Sequence, residues 1–252
     1  MKLLFTCILT FILPSLNALA EHKSFTIGVQ EITDYRPYSQ YTNNIYKGFN
    51  RDLFELFADY GDYHFNFEVL PLKRLNRQFL QGEVDFRYPD NKYWDTETKG
   101  DLSITYSSPV VRYIDGVLVK PENKGKGVQT LRTLGVILGY TPYPYQELIN
   151  SKQLTIFQNS NIQRLINQVI RGQNSGIYIN VAVGLNQLKS LSDNSEGLVF
   201  DPDLPHVVST RHLSSIKFPE IINKFNLFLL EKKHEIERLK SQYQVEKILE
   251  FK

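Results

Sequence analysis

The chain has 252 residues, of which 42% are hydrophobic, 13% aromatic and 22% charged, and its formal net charge is +2. So small a charge excludes a surface built to grip nucleic acid or an anionic membrane. Cys7 is the sole cysteine, which excludes a disulfide framework and a thiolate metal site.

Lys2, an apolar run over 3–13 and Ala18-Leu19-Ala20 before Glu21 form the layout of a cleaved secretory signal, too short and wrongly flanked for a membrane span. The mature chain is expected to start at Glu21, without Cys7 and, after loss of Lys2, with a net charge of +1. About 230 residues then remain, enough for one large or two modest cores. No later segment approaches the roughly 18 apolar residues of a membrane helix. Export and abundant Tyr and Phe together point to small-molecule contact.

Residues 25–29 read as a strand, 32–46 as a Tyr-rich loop, and 49–60 as an amphipathic helix burying Leu53, Leu56 and Phe57. A strand over 64–70 alternates Phe65, Phe67 and Val69 with polar neighbours. After Pro71 the spacing of Leu72, Leu75 and Phe79 predicts a helix closed by Gly82, and Val84 and Phe86 a short strand. This strand–helix alternation implies a mainly parallel sheet with helices on its faces. It also places Arg74 in a first helical turn, where the helix dipole disfavours a cation by roughly 0.3–1 kcal/mol.

A second α/β series follows the turn Lys124-Gly125-Lys126-Gly127, which lacks the spacing and terminal Lys-Ser/Thr pair of a phosphate loop. Its strands are expected over 134–138, 154–157 and 177–181. Thr141 and Ser160 stand where they would cap the helices that follow, with Pro142 at a first helical position. One long closing helix is predicted over 219–243.

In open α/β sheets ligands gather beyond the carboxyl ends of the strands. Those ends carry Tyr35, Arg36 and Tyr38, then Arg74, then Arg87, Tyr88, Asp90, Asn91, Tyr93 and Trp94; in the second series they carry Tyr140, Thr141, Asn159, Ser160 and Asn180. Aromatic faces stack on flat ligand parts, arginine takes carboxylates, and capped helix starts offer N–H groups to an anion. Each position also has a plainer reading: Arg74 extended into solvent, Arg87 paired with Asp90, Tyr93 and Trp94 in the core, Tyr140 packed beneath its own helix. Catalysis has no comparable signature, with no Gly-x-Ser-x-Gly, no His-Glu-x-x-His and five scattered histidines. Neither a cofactor nor a metal is expected.

Five segments in order resemble the bacterial periplasmic solute-binding proteins of the amino-acid-binding type, family 3: FTIGV with RPYS, YKGFNRDLFELFA, LQGEVDF, ITYSSPVV and LGVILGYT. The resemblance spans nearly the whole mature chain. It implies a two-lobed periplasmic binding protein fold of type II, with lobe 1 formed by 21–115 and 208–252, lobe 2 by 116–207, two hinge crossings, and closure around a ligand. By position, Tyr35 matches an aromatic on the ligand, Arg74 a second site position, Asp90 and Asn91 the ligand-bonding loop, and Thr141 the second-lobe anion contact. Ser107 lies in the Phe/Tyr-Ser-x-Pro signature.

Two departures stand out. The family's arginine for the ligand α-carboxylate falls at Gly100, beside Lys99, and its aspartate for the α-ammonium at Asn180. The resulting expectation is a monomeric, non-enzymatic periplasmic protein that captures a small polar or anionic solute, amino-acid-like or an organic acid, for an ABC-type transporter permease. The alternatives are a ligand sensor signalling to a membrane partner and, behind it, a periplasmic enzyme on the same fold.

Overall fold

The computed structural model describes residues 23–191 and 197–246; the signal segment, its cleavage point and Cys7 lie outside them. Strand β1 (Lys23–Gln30) opens the chain, followed by the short strands β2 (Asp34–Tyr35), β3 (Ser39–Thr42) and β4 (Ile45–Lys47). Then come α1 (Phe49–Gly61), β5 (Tyr63–Leu70), α2 (Leu72–Leu80), β6 (Phe86–Asp90), α3 (Thr96–Lys99) and β7 (Thr105–Tyr106). The long β8 (Val111–Val119) leads to β9 (Thr133–Ile137), α4 (Gln146–Asn150), β10 (Thr155–Asn159), α5 (Ile162–Ile170), β11 (Gly176–Asn180), α6 (Val181–Leu191) and β12 (Val199–Phe200). The equally long β13 (Val207–Ser215) returns to α7 (Pro219–Glu231) and α8 (Lys233–Tyr243).

The main sheet runs β10-β9-β11-β8-β13-β6-β1-β5, with β12 on β8 and β7 on β13. Its two ends are parallel, β5 and β6 flanking β1, β10 and β11 flanking β9. At the centre β8 and β13 pair antiparallel, from Val207 opposite Asp115 to Arg211 opposite Val111. Among the described residues no helix is long and apolar enough to cross a membrane.

Three expectations change. The 32–46 segment is not a loop: β2, β3 and β4 form a small antiparallel sheet. Asn43 (φ 53°) and Asn44 (φ 61°) make the two-residue left-handed turn that suits a tight hairpin. The closing helix is two helices, broken at Lys232, so that both lie on α1: Phe225 stacks on Phe54 at 5.7 Å, and Tyr243 meets Phe49 at 6.2 Å while its hydroxyl donates to Asp52 Oδ2 at 2.6 Å. Neither Thr141 nor Ser160 caps a helix. Pro142 and Pro144 turn the first chain segment into a 3-10 turn, where the Tyr143 N–H finds the Thr141 backbone carbonyl; at the second, Asn161 receives the Arg164 N–H on its side chain.

The core of the first half is aromatic. Phe25, Phe54, Phe57, Phe65, Phe86, Phe225 and Phe228 are buried, and their rings meet edge-on or stacked at centroid distances such as 4.9 Å for Phe57–Phe225. A buried polar knot ties β6 to β13: the Asp90 carboxylate, fully enclosed, accepts from Lys99 Nζ at 2.9 Å, Ser214 Oγ at 2.7 Å and the Asn91 N–H at 2.7 Å. Burial pulls the Lys99 ammonium below its ordinary value, against the opposing pull of Asp90.

Two stability measurements test this packing. Phe225→Ala is expected to cost about 3–5 kcal/mol in urea unfolding, whereas Leu230→Ala, at a side chain 74% exposed, stays within about 0.5 kcal/mol. Asp90→Asn leaves Lys99 buried without its counter-charge and is expected to cost about 3–5 kcal/mol.

Candidate functional site

Strand alternation decides which side chains of the central ladder face one way. Asp115, Tyr113, Val207 and Arg211 share one face of the β8–β13 pair, and all four line a cavity of about 120 Å³. Its other walls come from the ends of β1 and β6 with the hairpin β2–β3 on one side, and from the loop after β9 on the other. This is the place where the strands' carboxyl ends converge.

Arg211 dominates the cavity. It is 3% exposed, its guanidinium carbon lies 3.8 Å above the Tyr38 ring and 5.4 Å from each of Tyr35 and Tyr113, and Nη2 donates to the Tyr35 hydroxyl at 3.3 Å. Three π faces stabilise the cation where water is largely excluded. Burial opposes the charge, but the oxygens of Tyr35 and Tyr38 and the Asp115 carboxylate outweigh it and hold the group charged. Its Nε and Nη1 have no hydrogen-bond partner among the described residues, nor does Nε of the buried Arg87. Buried donors without acceptors each cost about 1–3 kcal/mol, so this wall is short of acceptors.

Asp115 supplies the opposite charge. Its Oδ1 accepts from the Asn180 side-chain amide at 3.2 Å, the two residues standing directly opposite each other on β8 and β11. Burial raises its carboxyl to about 6, more than Arg211 and Asn180 lower it. Asn180 is spent structurally, since its amide oxygen accepts the Val183 N–H at 3.2 Å at the start of α6.

The residues named from sequence separate into three groups. Tyr35, Arg87, Trp94, Tyr140 and Thr141 line the cavity. Trp94 donates its indole N–H to the Tyr113 hydroxyl at 3.2 Å, and Arg87 reaches Asp95 at 3.4 Å and Asp90 at 3.6 Å, so its pairing with Asp90 is real and coexists with cavity exposure. Tyr88, Asp90, Asn91, Ser107 and Asn180 are buried outside the lining. Tyr88 packs edge-on against Phe54, Asn91 holds Thr210 and Ser209 of β13, and Ser107 accepts the Leu213 N–H. Arg74, Asn159 and Ser160 lie off the cavity. Arg74 is exposed, and its side chain has no partner among the described residues, so the cation extends into solvent and away from the dipole; Asn159 turns its side chain onto the Asn161 N–H.

Sequence reading missed Arg211 and Asp115. Neither sits beyond a strand end; each sits within a long strand whose partner was not identified, so the rule of looking at carboxyl ends passed over them. A signal was present: an arginine inside a stretch of strand-forming residues contradicts a buried strand unless its charge is used.

The two halves touch across the cavity. Tyr140 donates to Gln30 Oε1 at 2.9 Å, the Asp95 N–H reaches the Tyr143 hydroxyl at 3.4 Å, and the Gln187 amide donates to the Asp34 carbonyl at 3.0 Å. Gly139, at φ +87°, lets the loop after β9 approach Leu72 of α2.

No protein-family model matches the sequence, and no curated protein matches it. Solved structures do. An ancestral arginine-binding protein bound to arginine superposes with a TM-score of 0.70 at 16% identity, over 88% of this chain and 98% of its own. An arginine transport system periplasmic binding protein from Legionella pneumophila gives 0.69 at 18%, over 88% and 99%. An ancestral amino-acid-binding protein described as a precursor of cyclohexadienyl dehydratase gives 0.65 at 18%, over 87% and 95%. The chain therefore has the two-lobed α/β fold of the periplasmic amino-acid-binding proteins of ABC transporters.

Proposed function

We propose that the chain is an exported solute-binding protein that holds a small carboxylate-bearing solute, amino-acid-like or an organic acid, between its lobes and presents it to an ABC-type transporter permease. In this reading the lobes are 21–115 with 208–252, and 116–207, and they hinge on β8 and β13. The mature protein starts at Glu21 and works in the periplasm as a monomer. The observation that carries the reading is Arg211, a buried and stacked cation in the cavity with two nitrogens, Nε and Nη1, unpartnered among the described residues. A carboxylate supplies what those donors lack. Tyr35, Trp94, Tyr113 and Tyr140 offer faces to the body of the solute.

A second reading, a periplasmic enzyme, has one observation in its favour: the Asp115 carboxyl, raised to about 6 inside the cavity, has the profile of a general acid or base. That one carboxyl stands against the buried charge, the stacking and the unpartnered nitrogens of Arg211, which make binding the stronger reading. Incubating any solute that binds with the protein and analysing it afterwards separates the two, since an enzyme converts it and a binding protein returns it unchanged.

The test is a thermal-shift screen of the mature chain against amino acids, organic acids, polyamines and small peptides. A true solute at ~100 times its dissociation constant stabilises by about 2.7 kcal/mol. Calorimetric titration of Arg211→Ala is expected to show affinity weakened by about 1.5–3 kcal/mol. Loss of affinity in Arg74→Ala with none in Arg211→Ala would instead put the carboxylate at the start of α2.

A further inference from the structure

The cavity does not offer its two charges evenly. Arg211 and Asp115 stand four residues apart along facing strands of one ladder, roughly 13 Å between backbones, with Tyr113 between them on the same face. At the Arg211 end, three guanidinium nitrogens, Nε and Nη1 of Arg211 and Nε of Arg87, have no acceptor among the described residues. At the Asp115 end, Oδ1 already receives the Asn180 amide, the Asn180 oxygen is committed to Val183, and the Tyr113 hydroxyl receives Trp94. An ammonium brings three donors and would have to share Asp115 with Asn180, while the other carboxylate of the lining, Asp95, already answers Asn76 and Arg87. Among the described residues, the buried polar atoms of the lining left without a partner are three guanidinium nitrogens and one acceptor, Asn50 Oδ1, so donors prevail.

The charges form a closed set as well. Arg87 is answered by Asp90 and Asp95, Lys99 by Asp90, and Asp115 by Arg211. A solute carboxylate on Arg211 takes that counter-charge away from Asp115 and leaves a second buried anion nearby. A buried anion without compensation is costly, and protonation removes it.

We propose that the solute is a small organic carboxylate with no ammonium group, bound on Arg211 while Asp115 takes up one proton from solvent. This rests on the solute-binding reading and sharpens it to a ligand class and a pH dependence. The groups facing Asp115 are Arg211 from β13, Tyr113 from its own strand β8, Tyr178 and Asn180 from β11, Tyr35 and Tyr38 from the hairpin segment, and Tyr140 from the loop after β9. His206 packs beside Gly116, the next residue of β8, with Nδ1 at the Leu204 carbonyl. Burial holds all five tyrosines above their ordinary value, so they keep their protons at neutral pH.

The sign follows from linkage. A group that binds a proton more tightly in the complex strengthens binding as pH falls, and the effect begins where the free group ionises, at about 6 for Asp115. The experiment titrates matched probes that differ only in the ammonium group, namely hydrocinnamate with phenylalanine, glutarate with glutamate, and valerate with norvaline. The pH profile is taken with whichever carboxylate, from these pairs or from the thermal-shift screen, gives the largest shift. We expect carboxylates to bind at least about tenfold more tightly than their amino-acid partners, and the dissociation constant to rise by up to about tenfold per pH unit above about pH 6. Calorimetry in two buffers of different protonation enthalpy should report proton uptake. Asp115→Asn should abolish that uptake, flatten the profile and tighten binding near pH 8, which a merely structural role at Asp115 would not do.

Tighter binding of an amino acid than of its deamino partner, affinity that improves as pH rises, or proton release overturns the proposal and leaves the solute-binding reading standing. A screen answered only by polyamines overturns the proposal and the carboxylate-bearing solute of the reading beneath it. Silence from every member of the screen overturns the solute-binding reading itself, and this inference with it.

Discussion

The antiparallel pairing of β8 with β13 is the constraint on which the rest of the molecule depends. Each strand is nine residues long, and each hands its two ends to different neighbours. β8 pairs with β11 and β12 in one half, while β13 pairs with β6 and β7 in the other, so five residue pairs between Val207 and Arg211 join two parallel sheets into one. Strand period then places Asp115, Tyr113, Val207 and Arg211 on a common face, and that face is a cavity wall. Joint and site are the same few residues.

Holding charges in such a place requires compensation at short range. Arg211 is surrounded by tyrosine rings whose faces carry partial negative charge, and Tyr38 beneath it is anchored in turn, its hydroxyl donating to the Val245 carbonyl at 3.1 Å. Tyrosine suits this duty better than phenylalanine, because a buried ring can stack on the cation while its hydroxyl fixes the orientation. Part of the tyrosine content has this local cause: Tyr35, Tyr38, Tyr113 and Tyr140 all stand around one guanidinium or across one cavity. The core of the first half is mostly phenylalanine, with the rings of Tyr63 and Tyr88 packed among it.

Periodicity made the framework legible. The strand and helix order from 49 through 86, the helices that begin after Pro71 and Asn161, and the gathering of Tyr35, Arg87, Trp94 and Tyr140 at one cavity all follow from apolar spacing and from the rule that loops at strand ends converge. What stayed hidden depended on long-range pairing. Arg211 and Asp115 acquire their meaning only once β13 is laid against β8, and nothing within either segment states that register. Asp90 and Asn91 stood at the right strand end, yet the Lys99 ammonium and the β13 backbone claim them, a competition between structural and ligand contacts that a linear reading has no means to settle. Arg74 shows the converse: a cation at an unfavourable helix position invites a functional reading, but a flexible side chain escapes the dipole simply by extending into water.

The bonds that span the cavity have a kinetic meaning. Tyr140 to Gln30 and Asp95 to Tyr143 connect wall to wall, and Gln187 to Asp34 joins the two halves beside them. In the proposed reading, separating the two walls requires these bonds to break first. The waiting time for that event belongs to the protein alone. In the solute-binding reading, the rate of capture at high solute concentration then levels off at the opening rate, the same for every solute, and solutes differ chiefly in how long they remain once the walls have met again.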